Sequence, residues 1–290
     1  MLRKSTITLL RIPFSFFLMP VFFLALSQVP EINATKALLI FIILHLVMYP
    51  ASNGYNSYMD QDTASIGMIQ HPPEPTKELF FTTLVLDAVA VLLSLLVNYL
   101  FALCILTNIL ASRAYSFRGI RLKKYPVTGF LTVVLFQGAI TYFMVYNGSS
   151  LQDMPVPWMG MLISSFLFGG FYPLTQIYQH QQDLDDGVRT LSYILGYHGT
   201  FIFSGIMYAL AELLLFIYFN TRDQMGHFLL MQLFFIPVLG YYLFWWKKVR
   251  ESYANASFQY MMRMNFVAAI STNAGFILLN LLNHPFRHLF

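Results

Sequence analysis

Polar side chains that suit a bound cation recur at helical spacing where one apolar segment of the sequence ends. Asn53, Asn56 and Asp60 are separated by three and then four residues, and Asp62 follows. On an α-helix, residues at that spacing lie on one face. Amide and carboxylate oxygens are ligands that Mg2+ takes, often together with phosphate oxygens and water. The stretch therefore predicts an oxygen-rich stripe at a helix end, able to hold a metal–phosphate complex.

The pattern around these residues occurs a second time, 123 residues further along the chain. Tyr49 and Pro50 of the first copy correspond to Tyr172 and Pro173 of the second, and each proline should kink its helix near the end. The second copy continues with Gln176, Gln179 and Asp183, whose spacing again predicts one face of a helix. Asp185 and Asp186 follow. We expect the copies to mark two related halves facing each other, because membrane proteins with internal repeats often place their site between the halves.

An acidic cleft between the two copies would need a cation. Carboxylates crowded at membrane depth repel one another unless a positive charge lies among them. The predicted metal ligands are Asn56, Asp60, Asp62, Asp183, Asp185 and Asp186. For Asp60 and Asp183 we also expect a catalytic role. The alternative, for either copy alone, is a polar helix end in contact with water.

Basic residues in the connection 116–126 would complete a site for a polyanion. Arg118, Arg121 and Lys123 fall on the side of the membrane predicted for both acidic segments. Arginine and lysine neutralise phosphate oxygens beyond the reach of a metal ion. The residues predicted to bind the phosphate-bearing ligand, amides included, are Arg11, Asn53, Asn56, Arg118, Arg121, Lys123, Gln179 and Arg189. The alternatives are interface anchoring for the loop cations and snorkelling for Arg11.

The composition places these residues in a membrane protein. Of the 290 residues, 57% are hydrophobic and 10% are charged, and the mean hydropathy is +0.60. Soluble domains carry about a quarter charged residues. We predict one all-α polytopic domain over residues 1–290, with about nine transmembrane helices in two pseudo-repeated halves around a central cavity. The net charge of +4 does not indicate a nucleic-acid partner, because the basic residues lie mainly in loops between apolar runs.

Each predicted span has close to the roughly 20 residues that cross a bilayer. The spans are 9–27, 37–58, 79–97, 99–115, 127–146, 157–179, 199–219, 226–245 and 264–282. For the first span, the alternative is a signal peptide cleaved near Ala25.

Lysine and arginine counts predict the orientation. With the N-terminus in the cytoplasm, all but three of the 17 lysine and arginine residues lie on the cytoplasmic side. The three on the other side are Lys36, Arg222 and Arg287. Because cytoplasmic loops are enriched in these residues, we predict that the N-terminus and the active-site loops are cytoplasmic.

Two motifs resemble those of the UbiA-like intramembrane prenyltransferases. Residues 56–62, N-S-Y-M-D-Q-D, are similar to the family's first motif. Residues 179–191, Q-x-x-x-D-L-D-D-G-V-R-T-L, are similar to its second aspartate motif, and 115–123 resemble the loop between the two. The resemblance implies transfer of a prenyl group from a prenyl diphosphate to a lipophilic acceptor, with Mg2+ holding the leaving group. It assigns the diphosphate contact to Lys123, and the metal–diphosphate ligands to Asn56, Asp60, Asp183 and Asp186 or Asp185.

The sequence departs from the family's pattern at two positions. Ala64 stands where many members have a further aspartate, and Gln179 stands where many begin the second motif with aspartate. Asp62 and Asp185 restore two carboxylates per segment. The departures keep open an inactive prenyl-diphosphate-binding homologue. A membrane transporter is the other alternative, and it predicts polar residues spread through the membrane core.

Several acceptor classes are compatible with such a cleft: quinone-ring precursors, haem, chlorophyll-like rings and lipid alcohols. Three residues within the predicted spans are candidates for the base that activates the acceptor, namely His45, Asp87 and Glu212. For each of them a hydrogen-bonded packing role is the alternative.

Overall fold

The computed structural model describes residues 2–284 and shows nine long helices in that range. They are α1 (Lys4–Ser27), α2 (Ala34–Asp60), α3 (Lys77–Ser94), α4 (Tyr99–Ser116), α5 (Pro126–Ser149), α6 (Trp158–Gln176), α7 (Leu191–Asn220), α8 (Met225–Glu251) and α9 (Phe258–Asn283). The all-helical fold class predicted from the sequence is confirmed. Helix α7 covers the predicted span 199–219, and a helical turn from Leu191 precedes that span across an interruption at Gly196 (φ 65°). Arg287, which enters the orientation count, lies outside the described residues.

The helices have the length and surface of membrane spans. Seven of the nine are long and apolar enough to cross a bilayer, α3 and α6 being the exceptions. Large apolar side chains are exposed on the outside of the bundle, for example Leu92 and Leu233 at 65% each. Within α3, Asp87 forms an ion pair with Arg113 of α4, as expected for charged groups at membrane depth. The chain is therefore an integral multi-pass membrane protein.

Helices α1 and α5 are both interrupted along their length. In α1, Arg11 adopts a left-handed conformation (φ 47°) and is followed by a 3-10 turn, Ile12–Leu18. In α5, a π-helical turn covers Val134–Ile140. Gly138 in this turn packs so closely on α6 that a Cβ would lie 2.6 Å from the Cα of Ser165. The crossing of α5 and α6 therefore requires glycine there.

Helix α2 carries the first acidic segment and ends as a regular helix. A π-helical turn, Ile42–Met48, directly precedes Tyr49 and Pro50, and an α-helix then continues to Asp60. Gln61 follows in a left-handed conformation (φ 53°) and ends the helix. Asn53, Asn56 and Asp60 thus do share a helical stretch, as their spacing predicts.

Helix α6 ends differently. It stops at Gln176 and is followed by a 3-10 turn, Ile177–Gln179, and then by a short helix, His180–Asp185. The expectation that Gln176, Gln179 and Asp183 share one face of a continuous helix is therefore wrong. The tighter 3-10 turn changes the direction of the side chains that follow it.

Packing brings the acidic segments to one end of a closed bundle. The last helix, α9, packs against α1, while α6 packs against both α5 and α7 and α2 packs against α3 and α4. At one end, the backbone N–H of Arg3 donates to Glu78 (2.7 Å), and Arg118 Nε donates to the carbonyl of Met59 (2.8 Å). The N-terminal residues and the connections after α2 and α4 thus meet where the first acidic segment lies.

Candidate active site

A cavity of about 260 Å³ lies between α1, α2, α4, α5, α6 and α9, next to both acidic segments. The predicted site residues that line it are Arg11, Asn53, Asn56, Asp60, Asp62, Lys123, Gln179, Asp183 and Asp186. Its inner wall includes apolar side chains such as Leu18, Phe168 and Phe171. One cavity therefore joins a polar, charged mouth to an apolar interior.

In the first acidic segment, Asp60 is held by cations before any ligand binds. Its side chain is 5% exposed, and Lys123 Nζ lies 2.5 Å from Oδ2. Arg121 lies 3.9 Å from Oδ1, which is buried and accepts no hydrogen bond. Asn56 Nδ2 donates to Asp60 Oδ2 (2.8 Å) and to Ser116 Oγ (3.1 Å). Because both donations come from the Asn56 nitrogen, its carbonyl oxygen remains available as a ligand.

In the second acidic segment, Asp183 has a different environment. Within residues 2–284 it forms no ion pair with a lysine or arginine. Burial raises the pKa of Asp183 to about 7; the carboxylates of Asp62 and Asp60 act in the same direction, and Lys123 opposes them. A nearby divalent cation would favour the ionised form of this carboxyl group.

Asp62 links the two segments. Gln182 Nε2 donates to Asp62 Oδ1 at 2.6 Å. This hydrogen bond joins the connection that follows α2 to the short helix that follows α6. Burial raises the pKa of Asp62, and so does Asp60, whereas Lys123 and Arg11 lower it. Burial therefore disfavours the ionised forms of both Asp62 and Asp183.

Asp186 is engaged by arginines of the connection after α4. Arg121 forms an ion pair with its carboxylate and donates to its backbone carbonyl (3.1 Å). Arg118 Nη1 lies 3.3 Å from the other carboxylate oxygen. This arrangement ties the basic connection to the second acidic segment. Asp186 borders the cavity, but its charge is already neutralised.

Arg11 brings a positive charge into the cavity wall. It is 8% exposed, and its Nη2 donates to the carbonyl of Asn53 (3.2 Å). Its Nε is buried without a hydrogen-bond partner, and in the described part of the chain Arg11 forms no ion pair. A buried guanidinium in this state is suited to an anionic ligand.

Four predicted site residues are absent from the lining of the cavity. Arg118 and Arg121 contact Asp186 at its border, whereas Asp185 and Arg189 are exposed. Asp185 accepts a hydrogen bond from Gln181 Nε2 (2.8 Å) on its own short helix. Gln179 does line the cavity, where its Nε2 approaches the carbonyl of Ser65 at 3.5 Å.

Several residues of the cavity lining have no role predicted from the sequence. Ser112 and Ser116 of α4 bind Ser52 (2.6 Å) and Asn56, respectively. Deeper in the cavity are Asn108, Gln137 and Asn265. The sequence did contain a signal for these residues, because they are polar residues within predicted membrane spans, and such residues are frequently functional.

Hydroxyl groups and a histidine support the second segment. The hydroxyls of Tyr115 and Tyr172 are in contact, and Gln176 Nε2 donates to Tyr172 (2.9 Å). His180 Nε2 lies 2.8 Å from Ser192 Oγ of α7, and burial lowers the pKa of His180 to about 4. A neutral His180 thus anchors the short helix to α7.

The three candidate bases lie outside the cavity lining. His45 is buried among the rings of Phe22, Phe41 and Tyr49. Asp87 is paired with Arg113, and Glu212 accepts a hydrogen bond from Gln232 (2.9 Å). These contacts indicate packing roles in the bundle.

The donor set fits a hard divalent cation. Within residues 2–284 no group of three or more His, Cys, Asp or Glu side chains is arranged to hold a metal ion by itself. The lining nevertheless offers the partnerless Asp60 Oδ1, the carboxylates of Asp62 and Asp183, and the Asn56 amide oxygen. Mg2+ prefers such oxygen ligands and usually keeps water or takes phosphate oxygens for the remaining positions. These residues therefore suit Mg2+ bound jointly with a phosphate ligand.

Comparisons with known proteins agree on one family and one fold. The model of the UbiA prenyltransferase family matches residues 16–267. The structure of a UbiA homolog from Archaeoglobus fulgidus bound to GPP and Mg2+ has a TM-score of 0.70 and 16% identity, covering 95% of this chain and 99% of that chain. The same homolog bound to DMAPP and Mg2+ gives a TM-score of 0.71 at the same identity and coverage. The apo structure of a UbiA homolog from Aeropyrum pernix K1 has a TM-score of 0.69 and 19% identity. The match covers 92% of this chain and 98% of that chain. No curated protein sequence matches the chain.

Proposed function

The chain belongs to the UbiA prenyltransferase family, and from this premise we propose that it transfers a prenyl group from a prenyl diphosphate to a lipophilic acceptor within the membrane, in a Mg2+-dependent reaction. The observation that carries the proposal is the convergence of Asp60, Asp62, Asp183 and Lys123 on one cavity with an apolar interior. The solved homolog from Archaeoglobus fulgidus, bound to GPP and Mg2+, supports it by likeness of fold.

The charged mouth of the cavity is the proposed diphosphate site. Asp60, Asp62, Asp183 and the Asn56 amide would hold Mg2+, which when bound supplies charge neutralisation for the leaving diphosphate. Lys123 lies at the same place, against Asp60, and is positioned to contact a phosphate oxygen as well. Arg11 has no carboxylate partner among residues 2–284 and would bind a diphosphate oxygen from the α1 side.

The apolar interior is the proposed place of transfer. The C–O bond between the prenyl C1 and the diphosphate breaks, and the electron pair leaves with the diphosphate. A new bond then forms between C1 and the acceptor, which loses a proton. Leu18, Phe168 and Phe171 of the wall exclude water that would otherwise capture the allylic cation. The faces of the lining aromatic rings favour a nearby positive charge.

The membrane orientation follows the distribution of lysine and arginine. We propose that the N-terminus and the cavity mouth face the cytoplasm, because the basic connection after α4 is part of that mouth. Reactivity of single cysteines toward a membrane-impermeant reagent would test this, at Lys124 for the mouth and at Asp153 for the opposite end. Labelling of the mouth position from outside sealed cells would contradict the orientation.

A direct assay tests the function. Purified protein would be incubated with radiolabelled geranyl, farnesyl and geranylgeranyl diphosphates, a panel of ring and lipid-alcohol acceptors, and either Mg2+ or EDTA. We expect a prenylated product only with Mg2+. Substitution of the exposed Asp153 by Asn is the matched control for aspartate variants of the cavity. Mg2+-dependent binding of a prenyl diphosphate without any product would instead identify a binding protein, the alternative suggested by Ala64 and Gln179.

A further inference from the structure

Gln137 is a polar residue at the inner end of the cavity that the diphosphate site does not use. It lies 11 residues from the start of α5, or about 16 Å along a helix, whereas Asp60, Lys123 and Asp183 lie at or beyond helix ends. Its Oε1 is buried and accepts no hydrogen bond in the described structure. The side chain lines the cavity.

The local structure is built to direct this residue inward. Gln137 lies in the π-helical turn Val134–Ile140, and such turns are frequent at functional sites. The carbonyl of Phe136 within the turn accepts hydrogen bonds from Thr141 Oγ1 (2.8 Å) and Asn108 Nδ2 (3.5 Å). The glycine after Gln137 allows α5 to approach the backbone of α6. The position of Gln137 is therefore fixed from two sides.

The corresponding position in the first half is apolar. The shift of 123 residues that relates the two acidic segments also relates Phe14 to Gln137, and both residues line the cavity. Both lie in helix interruptions, the 3-10 turn Ile12–Leu18 and the π-helical turn Val134–Ile140. Interruptions at corresponding positions of two halves commonly mark a binding site. One of the two positions offers a hydrogen-bonding amide and the other an aromatic ring.

A prenyl chain cannot satisfy the amide of Gln137. The chain is a hydrocarbon with no hydrogen-bond donor, and covering a buried amide oxygen with hydrocarbon is unfavourable. The charged lining residues lie at the mouth or, for Arg11, beside Asn53. The second substrate can supply a polar partner for Gln137, and the distance from the charged groups favours a neutral hydrogen-bonding group.

We propose that Gln137 is a specificity-determining residue that binds a hydroxyl group of the acceptor, with Oε1 accepting the hydroxyl hydrogen. The inference rests on the proposed function and narrows it to acceptors with a neutral hydroxyl, such as a phenolic ring or a lipid alcohol. Asn108 of α4 lines the same part of the cavity and gives it further amide character.

Equilibrium binding to the detergent-solubilised full chain, with Mg2+ and geranyl S-thiolodiphosphate present, tests the inference without turnover. The probes are two matched pairs, 1-naphthol with naphthalene and 1-dodecanol with dodecane. The wild-type protein should bind the hydroxylated member of at least one pair about tenfold more tightly than its partner. The reason is that only the hydroxylated member can form a hydrogen bond with the buried amide. Gln137→Leu and the more flexible Gln137→Met should bind both members of that pair equally. Both variants should retain the dissociation constant of the thiolodiphosphate within about twofold.

Gln232→Leu is the matched control, because Gln232 is a second membrane-embedded glutamine that lies outside the cavity. It should retain the hydroxyl preference of the wild type. A wild-type protein with no preference in either pair would overturn the inference, as would a Gln137→Met variant that keeps the preference. Equal weakening of thiolodiphosphate and hydroxylated probe would also overturn it. Failure of the proposed function differs from failure of the inference about Gln137, because only the former would abolish Mg2+-dependent binding of the thiolodiphosphate.

Discussion

The two acidic segments share a sequence pattern, yet they present their carboxylates in different states. In the first, an unbroken helix places Asp60 against Lys123 and Arg121, where its charge is compensated. In the second, the helix breaks after Gln176, and Asp183 lies in the cavity wall without an ion-pair partner among residues 2–284. A repeated motif thus fixes which groups are present, while the neighbours of those groups decide which of them are available to a ligand.

The same contrast separates two carboxylates within the second segment. Asp186 is bound by Arg118 and Arg121, whereas Asp183 has no such partner in the described part of the chain. Asp186 therefore holds the basic connection in place, and Asp183 remains available for a cation. Each of the following substitutions either breaks this contrast or measures it.

The largest effects should come from Asp60→Asn and Asp183→Asn. Each removes a proposed Mg2+ ligand and should lower prenyl transfer by at least about 100-fold. Their effects on stability should differ: Asp60→Asn leaves Lys123 buried without its partner and should destabilise the protein by about 3 kcal/mol. Asp183→Asn should leave the midpoint of thermal unfolding unchanged or higher, because it removes a buried acid without an ion-pair partner. Transfer rates and thermal unfolding of both variants, with Asp153→Asn beside them, check this. Equal destabilisation by the two variants would remove the contrast between the segments.

Asp186→Asn should have a smaller effect. Losing a charge-assisted contact to the two arginines should raise the KM for the prenyl diphosphate by about 30-fold, because the basic connection loses its anchor. Steady-state kinetics at saturating Mg2+ would measure it. A loss of Mg2+ affinity as large as that of Asp183→Asn would show instead that Asp186 is itself a metal ligand.

Ser116→Ala should weaken Mg2+ binding by about fivefold, since it removes one of two acceptors that orient the Asn56 amide. Titration of Mg2+ against bound prenyl thiolodiphosphate is the measurement. Thr107→Ala is the control on the same helix, because the Thr107 hydroxyl bonds only to carbonyls of its own helix. The orienting role of Ser116 is refuted if the two variants bind Mg2+ equally.

The smallest effect should come from Gln182→Leu. It removes the hydrogen bond to Asp62 that joins the two segments, and the partly exposed setting limits the loss to about threefold in kcat/KM. Gln181→Leu, an exposed neighbour on the same short helix, should leave kcat/KM unchanged. Indistinguishable values for the two variants would mean that the link between the segments does not assist the reaction.

Most of the charged residues that line the cavity were predicted from the sequence. The spacing of Asn53, Asn56 and Asp60 placed these residues on one helical stretch, and that stretch borders the cavity. The two halves remain a prediction from the sequence, as do the roles of individual residues. Local spacing did not show the helix break between Gln176 and Asp183: it predicted one continuous helix, which a 3-10 turn interrupts, although Gln176, Gln179 and Asp183 all line the cavity.

The amino-acid sequence is enough to identify a helical membrane protein with two acidic segments, because the length of apolar runs and the position of charges are local properties. Tertiary packing was needed to show that Asp186 is neutralised, that Asp185 and Arg189 are exposed outside the cavity lining, and that Gln137 lines the cavity. The physical reason is that ionic partners and helix interruptions depend on neighbours distant in sequence. A residue's spacing along the chain carries no information about them.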